Sequence, residues 1–188
     1  SWSSPDPLKM EINGKKYIDK YKGYQEKTGQ QSALLAAHGK IGGLKTVAIG
    51  YNFAFGGAAF SQRENEHFLT AAQFALSNKV DLFVSIYQSG GKNVYGNIHS
   101  LKSMSTVQMA HTMLKKENIV NIGILESKIT GGTFVDVFGN QFLFSVKGSS
   151  GLDSTVESVM TTEVRCCGRF DTLKSVIERM NEGRFRHM

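Results

Sequence analysis

Three pairs of adjacent glycines are the residues in this chain whose type and spacing point most directly to chemistry: Phe55-Gly56-Gly57, Ser89-Gly90-Gly91-Lys92 and Thr130-Gly131-Gly132. Each follows an apolar run, Thr46 to Phe55, Phe83 to Gln88 or Ile119 to Leu125, and each precedes a segment with helical character. Glycine has no Cβ, so two in succession let backbone N–H groups come close to a ligand atom. If a helix follows, those donors and its positive end face the same small space, which suits an oxygen that gains negative charge during reaction. That is the physics of an oxyanion hole. An ordinary tight strand-to-helix connection uses the same residues, but three such turns in comparable places suggest strand ends converging on one site. Gly56, Gly57, Gly90, Gly91, Gly131 and Gly132, with Phe55, Ser89 and Thr130 leading into the turns, are the candidate residues of that site.

Side chains near these turns add candidates. Lys92, directly after the second pair, is either a ligand for a carboxylate or phosphate or a surface lysine. His99 lies at the start of the following helix, where it either transfers a proton or is simply solvated; His111 lies on the same helix. Glu126 and Asp136 flank the third turn as candidate general bases. Met104, Met109 and Met113 share one helix face and read as core packing. The only cysteines are the neighbours Cys166-Cys167, which make neither a disulfide framework nor a zinc site and point to the reducing interior of a cell.

The elements that must hold these residues follow from periodicity. Residues 6–29 look like an amphipathic helix, with Tyr17, Tyr21 and Tyr24 at helical spacing and Gly29 as its stop. Ala33 to His38 reads as a strand, Gly39 to Gly43 as a hairpin turn, and Leu44 to Phe55 as a long return strand. Residues 62–78 alternate with helical period. A strand over 80–87, a helix over 100–117, a strand over 119–125, a helix after Gly132 and a strand over Phe142 to Val146 come next, and Thr172 to Asn181 closes the chain as a helix. Strands alternating with helices at this spacing imply an α/β layered fold. A chain of 188 residues, 40% apolar and 20% charged, has the size and composition of one soluble domain. No apolar run approaches the length of a membrane span, and the first residues lack a signal-peptide pattern. The net charge of +6 has no nucleic-acid-binding module around it. It clusters in Lys15 to Lys22 and Arg179 to Arg184, as a solvated helix face or a surface for a phosphorylated ligand or an acidic carrier protein.

In this order the motifs resemble the β subunit of the carboxyltransferase of multisubunit acetyl-CoA carboxylase, a crotonase-superfamily fold. The matching pieces are Asp6-Pro7-Leu8-Lys9, Tyr17 with Tyr24-Gln25-Glu26-Lys27-Thr28-Gly29, Gly39-Lys40-Ile41-Gly42-Gly43-Leu44, Asn52-Phe53-Ala54-Phe55-Gly56-Gly57, Ser89-Gly90-Gly91, Ser100-Leu101 with Met104, and Thr130-Gly131-Gly132. They cover about residues 6–146. The resemblance implies an α/β, crotonase-like (ClpP/crotonase) spiral of ββα units forming a single domain over 1–188, with an N-terminal helical segment over 1–30 and a C-terminal helix and tail over 171–188. It places the chain's start after the family's four-cysteine zinc ribbon.

For function, the resemblance implies transfer of a carboxyl group from carboxybiotin, held on a partner carrier protein, to acetyl-CoA, in fatty-acid or polyketide biosynthesis. Gly90 and Gly91 would be the principal oxyanion turn, Gly131 and Gly132 the opposite wall, and Gly56 and Gly57 would lie under the acyl-CoA. The partners implied are further copies of the chain or a carboxyltransferase α-like subunit, together with a biotin carrier or acyl carrier protein; the broad apolar stripe of residues 62–78 agrees with an oligomer. Neither nucleic acid nor membrane is expected, and the setting is the cytoplasm or an organelle interior such as a plastid. The sequence also departs from the family. Lys92-Asn93-Val94-Tyr95-Gly96-Asn97 stands where Ala-Arg-Met-Gln-Glu-Gly is usual, Asn52 replaces an acidic residue, and Glu66-His67-Phe68-Leu69-Thr70 replaces a more basic pattern. These departures keep two other readings in view: a biotin-independent crotonase-type enzyme such as a decarboxylase, and a non-catalytic interaction subunit.

Overall fold

A computed structural model describes residues 3–146. The expected helix over 172–181 and the tail lie outside the described residues.

The N-terminal segment is not one helix. Glu11–Ile12 (β1) and Lys15–Lys16 (β2) pair antiparallel around Asn13-Gly14, whose φ angles of 53° and 70° suit a two-residue hairpin turn. The helix expected from residue 6 therefore begins at residue 17. This helix, α1 (Tyr17–Thr28), buries Tyr17 and Tyr21 and ends at Gly29, whose left-handed backbone (φ 69°) turns its N–H onto the Gln25 carbonyl at 2.8 Å.

Five strands make the main sheet: β3 (Leu34–Ile41), β4 (Leu44–Tyr51), β5 (Leu82–Ser89), β6 (Val120–Ile129) and β7 (Phe142–Ser145), in the order β3-β4-β5-β6-β7. β3 and β4 form an antiparallel hairpin closed by Gly42-Gly43, both at positive φ. From β4 onward every pair is parallel, so a crossover must return the chain each time. Those crossovers contain α2 (Gln62–Ser77), α3 (Ile98–Lys116) and α4 (Thr133–Val137). Parallel strands put the carboxyl ends of β4, β5 and β6 at the same edge of the sheet, where ligands of α/β folds bind. The pairs Gly56-Gly57, Gly90-Gly91 and Gly131-Gly132 follow those ends and sit at that edge. The strand expected to run to Phe55 stops at Tyr51, because Asn52 turns the chain: its backbone carbonyl accepts from Phe55 N–H at 3.0 Å and its side-chain oxygen from Ala54 N–H at 2.9 Å.

The core lies between the sheet and its helices. Phe83 meets Phe68 edge-on, with ring centres 5.6 Å apart, and His111 packs on both. α2 buries Phe68, Ala71, Ala72 and Ala75, in agreement with its apolar period. α3 buries Ser100, Ser103, Val107, Ala110, His111 and Leu114. Met109 and Met113 fall off that stripe, so the expectation that they pack in the core is corrected: both are more than half exposed, lining a shallow groove with Leu69 and Leu76 of α2. No described helix is long and apolar enough to cross a membrane.

Candidate functional site

The three glycine turns come together. Gly90 N–H donates to the Gly57 carbonyl at 2.8 Å, and Phe60 N–H to the Gly91 carbonyl at 2.9 Å, joining the first turn to the second. Thr130 N–H donates to the Ser89 carbonyl at 3.0 Å, joining the second to the third. Gly91 has φ of 113°, and a Cβ there would stand 3.2 Å from the Thr130 carbonyl oxygen and 3.8 Å from Gly131 Cα. Only glycine fits that approach with that backbone. Gly131 is also left-handed, at φ 58°.

The N–H groups differ in their availability. Gly90 N–H is taken by Gly57, and Gly91 N–H donates to Ser89 Oγ at 3.1 Å. Among the described residues the N–H groups of Gly131 and Gly132 have no acceptor. The second turn is thus the hydrogen-bonded frame, and the third presents unengaged donors at the start of α4.

Ser89 is fully buried, which places it in the frame too. Its hydroxyl donates to the Ala58 carbonyl at 2.8 Å and lies 3.2 Å from Thr133 Oγ1. Lys92 is neither a surface lysine nor open to an external anion. Its side chain is 4% exposed, and Nζ lies 2.5 Å from Asp136 Oδ2 and 4.1 Å from the centre of the Phe60 ring. Asp136 is fully buried and its other carboxylate oxygen has no partner among the described residues, so it is spoken for by Lys92 rather than placed as an external base. Burial raises the Asp136 carboxyl to about 6 against the pull of Lys92, and burial lowers the Lys92 ammonium against the pull of Asp136.

Other candidates scatter. Phe55 is buried against Tyr21 and Tyr24, with ring centres 5.0 and 5.6 Å away, and so supports the first turn from beneath. Gly56 is packed over the same tyrosine: a Cβ there would fall 2.7 Å from Tyr24 Cε2. Gly57 and Thr130 are half-buried at the convergence of the turns. His99 is half-buried in the first turn of α3 with no hydrogen bond to a described residue, and Glu126 is exposed on β6. His111 belongs to the core: it lies 3.0 Å from Asn121 Oδ1, and burial lowers its imidazole to about 4.

The sequence reading missed three supports. Tyr95 stacks on Tyr17 at 4.5 Å, Asn93 donates to the Tyr17 hydroxyl at 2.6 Å, and together they tie the segment after the second turn to α1. Glu64 closes a capping box with Ser61 and also accepts from Ala33 N–H at 3.1 Å. Only the capping box had a local signal, the Ser61-x-x-Glu64 spacing before an apolar run.

No family model matches the chain. Its curated relatives include the acetyl-coenzyme A carboxylase carboxyl transferase subunit beta of Hirschia baltica, 36% identical over 127 residues, which are 68% of this chain and 36% of that protein. The subunit of the same name from Bartonella quintana is 35% identical over 127 residues, 68% of this chain and 41% of that protein. The chain thus spans well under half the length of these relatives. Among solved structures, transcarboxylase 12S with hydrolysed methylmalonyl-coenzyme A bound aligns with a TM-score of 0.57 at 20% identity, over 62% of this chain and 22% of that one. A Pseudomonas malonate decarboxylase hetero-tetramer in complex with malonate aligns with a TM-score of 0.58 at 16% identity, over 70% of this chain and 52% of that one. At such identities the structures speak for the fold, and the sequence relatives for the lineage. The chain is a divergent homologue of the acetyl-CoA carboxylase carboxyltransferase β subunits, with a crotonase-like α/β fold.

Proposed function

We propose that this chain forms a β-type half-site for carboxyl transfer, in which a CoA thioester lies across the carboxyl ends of β4, β5 and β6. The observation that carries this reading is the convergence of three glycine turns, with unengaged N–H groups at Gly131 and Gly132, in a homologue of carboxyltransferase β subunits. The α-carbon of acetyl-CoA loses a proton and negative charge gathers on the thioester oxygen. Donors already aimed at that oxygen lower the barrier without reorganising. Carboxybiotin, when bound, would supply the carboxyl group to that α-carbon, and its ureido nitrogen, on giving up the carboxyl group, would take up the proton, leaving malonyl-CoA and biotin. In this reading Gly90 and Gly91 hold the frame, Gly131 and Gly132 donate, and His99 stands at the edge as a candidate proton-transfer group. A carboxyltransferase α-like subunit completes the site, a proposal supported by the hetero-oligomeric state of the Pseudomonas malonate decarboxylase.

The test is the reverse reaction: loss of malonyl-CoA by the purified chain, with free biotin as carboxyl acceptor, with and without an α-type subunit. Biotin-dependent turnover that needs the α-type subunit is the expected result. Turnover independent of biotin would replace this reading with that of a decarboxylase. Absence of turnover with malonyl-CoA and with malonyl-acyl carrier protein would favour a non-catalytic interaction subunit.

A further inference from the structure

Lys92 touches all three glycine turns. It belongs to the second turn, directly after Gly91. Its backbone forms a parallel bridge with Phe60, at the end of the first turn: Phe60 N–H donates to the Gly91 carbonyl and Asn93 N–H to the Phe60 carbonyl, each at 2.9 Å. The side chain then runs between the Phe60 ring and Gly132 to reach Asp136 of α4, just past the third turn. A Cβ on Gly132 would lie 2.8 Å from Lys92 Cγ and 2.9 Å from Met104 Sδ, so the glycine leaves room for the lysine stem to pass.

We propose that Lys92 is a positioning residue, a cross-strap whose ion pair with Asp136 sets the third turn, and with it the N–H groups of Gly131 and Gly132, against the second. This inference rests on the carboxyl-transfer reading for its consequence in rate, and on geometry alone for its consequence in structure. The side chain is 4% exposed and its Nζ is held by Asp136, so it acts through the turns and not by touching substrate. A buried ion pair is a costly way to gain stability, because an apolar pair of similar volume often serves as well or better. What the pair adds is direction. A charge-assisted bond has one favoured length and angle, whereas apolar contacts tolerate sliding. Misplacing catalytic groups by about 1 Å can cost about a hundredfold in rate, so a fixed spacing between turns matters to donors that must meet one oxygen.

The deciding variant is the apolar pair Lys92→Met with Asp136→Leu, which removes both charges and so strands neither. Three readouts are compared with the full wild-type chain: the thermal midpoint, the amide NMR resonances of Gly91, Gly131 and Gly132, and malonyl-CoA turnover with biotin. The expected result is a cooperative melt, displaced Gly131 and Gly132 resonances, and kcat lowered about tenfold or more with a smaller change in KM. A folded double variant with wild-type resonances and wild-type kcat would overturn the proposal. If the wild type itself has no turnover, the NMR arm still decides the strap, and the loss falls on the carboxyl-transfer reading alone. Should the double variant fail to fold, Asp136→Asn keeps a hydrogen-bond acceptor for Lys92 while removing the charge. The same displacement of Gly131 and Gly132 is then expected, and its absence overturns the strap.

Discussion

His111 and Asp136 are two buried titratable groups whose effects on stability oppose each other. Burial lowers His111 to about 4, below its ordinary 6.5, so unfolding takes up a proton between those values and stability falls as the pH drops through that window. Burial raises Asp136 from 3.8 to about 6, so unfolding releases a proton there and stability rises as the pH drops through 6 toward 3.8. Each amounts to roughly 3 kcal/mol at about 1.4 kcal/mol per unit. Wild type is therefore expected to have a nearly flat contribution from this pair of groups between about pH 4 and 6.5. Asp136→Asn removes one side of the balance, so the variant should lose on the order of 3 kcal/mol between pH 6.5 and 4. Urea unfolding at several pH values checks this, and a variant with the pH slope of wild type would contradict it. Neither shift was legible in the sequence. Asp136 looked like a base beside a glycine turn, and its partner Lys92 is 44 residues away in sequence.

Elements were read better than residues where the signal was local. Gly29 stops α1 and Gly42-Gly43 closes the hairpin, because those backbones need positive φ and the sequence says so. Asn13-Gly14 carries the same kind of signal, and the periodic tyrosines that follow masked it. α2 shows the limit of local reading. Its capping box is written in Ser61 and Glu64, yet the same carboxylate also receives Ala33 N–H at 3.1 Å and the Tyr21 hydroxyl at 3.4 Å, fastening α2 to the start of β3 and to α1. Glu64→Ala should therefore cost more than the roughly 1 kcal/mol of an exposed cap, about 2–4 kcal/mol, because it strands several buried donors. Ser61→Ala, which strands fewer, should cost about 1–2 kcal/mol. Thermal or urea melts of the two variants give the comparison. Equal, small losses would mean that the tie to β3 and α1 contributes nothing. Phe68→Ala, at the centre of the sheet-helix core, is expected to cost about 3–5 kcal/mol by the same measurement.

At the scale of the molecule, the order of strands, helices and glycine pairs was enough to read an α/β fold with strand ends converging. The reason is physical: parallel strands joined by helical crossovers put alternate connections at one edge, wherever the details of packing fall. Which N–H groups remain free at that edge depends instead on hydrogen bonds of 2.8–3.0 Å between turns far apart in sequence. Gly90 and Gly91 looked like the principal donors, and both are engaged, by Gly57 and Ser89. Valine at Gly91, where φ is 113°, would strain the fold as well as the site and could not separate the two.

Gly132 offers a cleaner comparison, because its φ of −65° suits both alanine and proline. Gly132→Ala and Gly132→Pro push a Cβ into the same neighbours, but only proline deletes the N–H. The rate of malonyl-CoA turnover in these two variants, each shown by its melt to be folded, is the most direct test of whether the third turn stabilises the thioester oxygen. The proline variant is expected to be about 10²–10³-fold slower than the alanine variant, the effect of losing one oxyanion donor. Equal rates in the two folded variants would contradict the assignment of that donor.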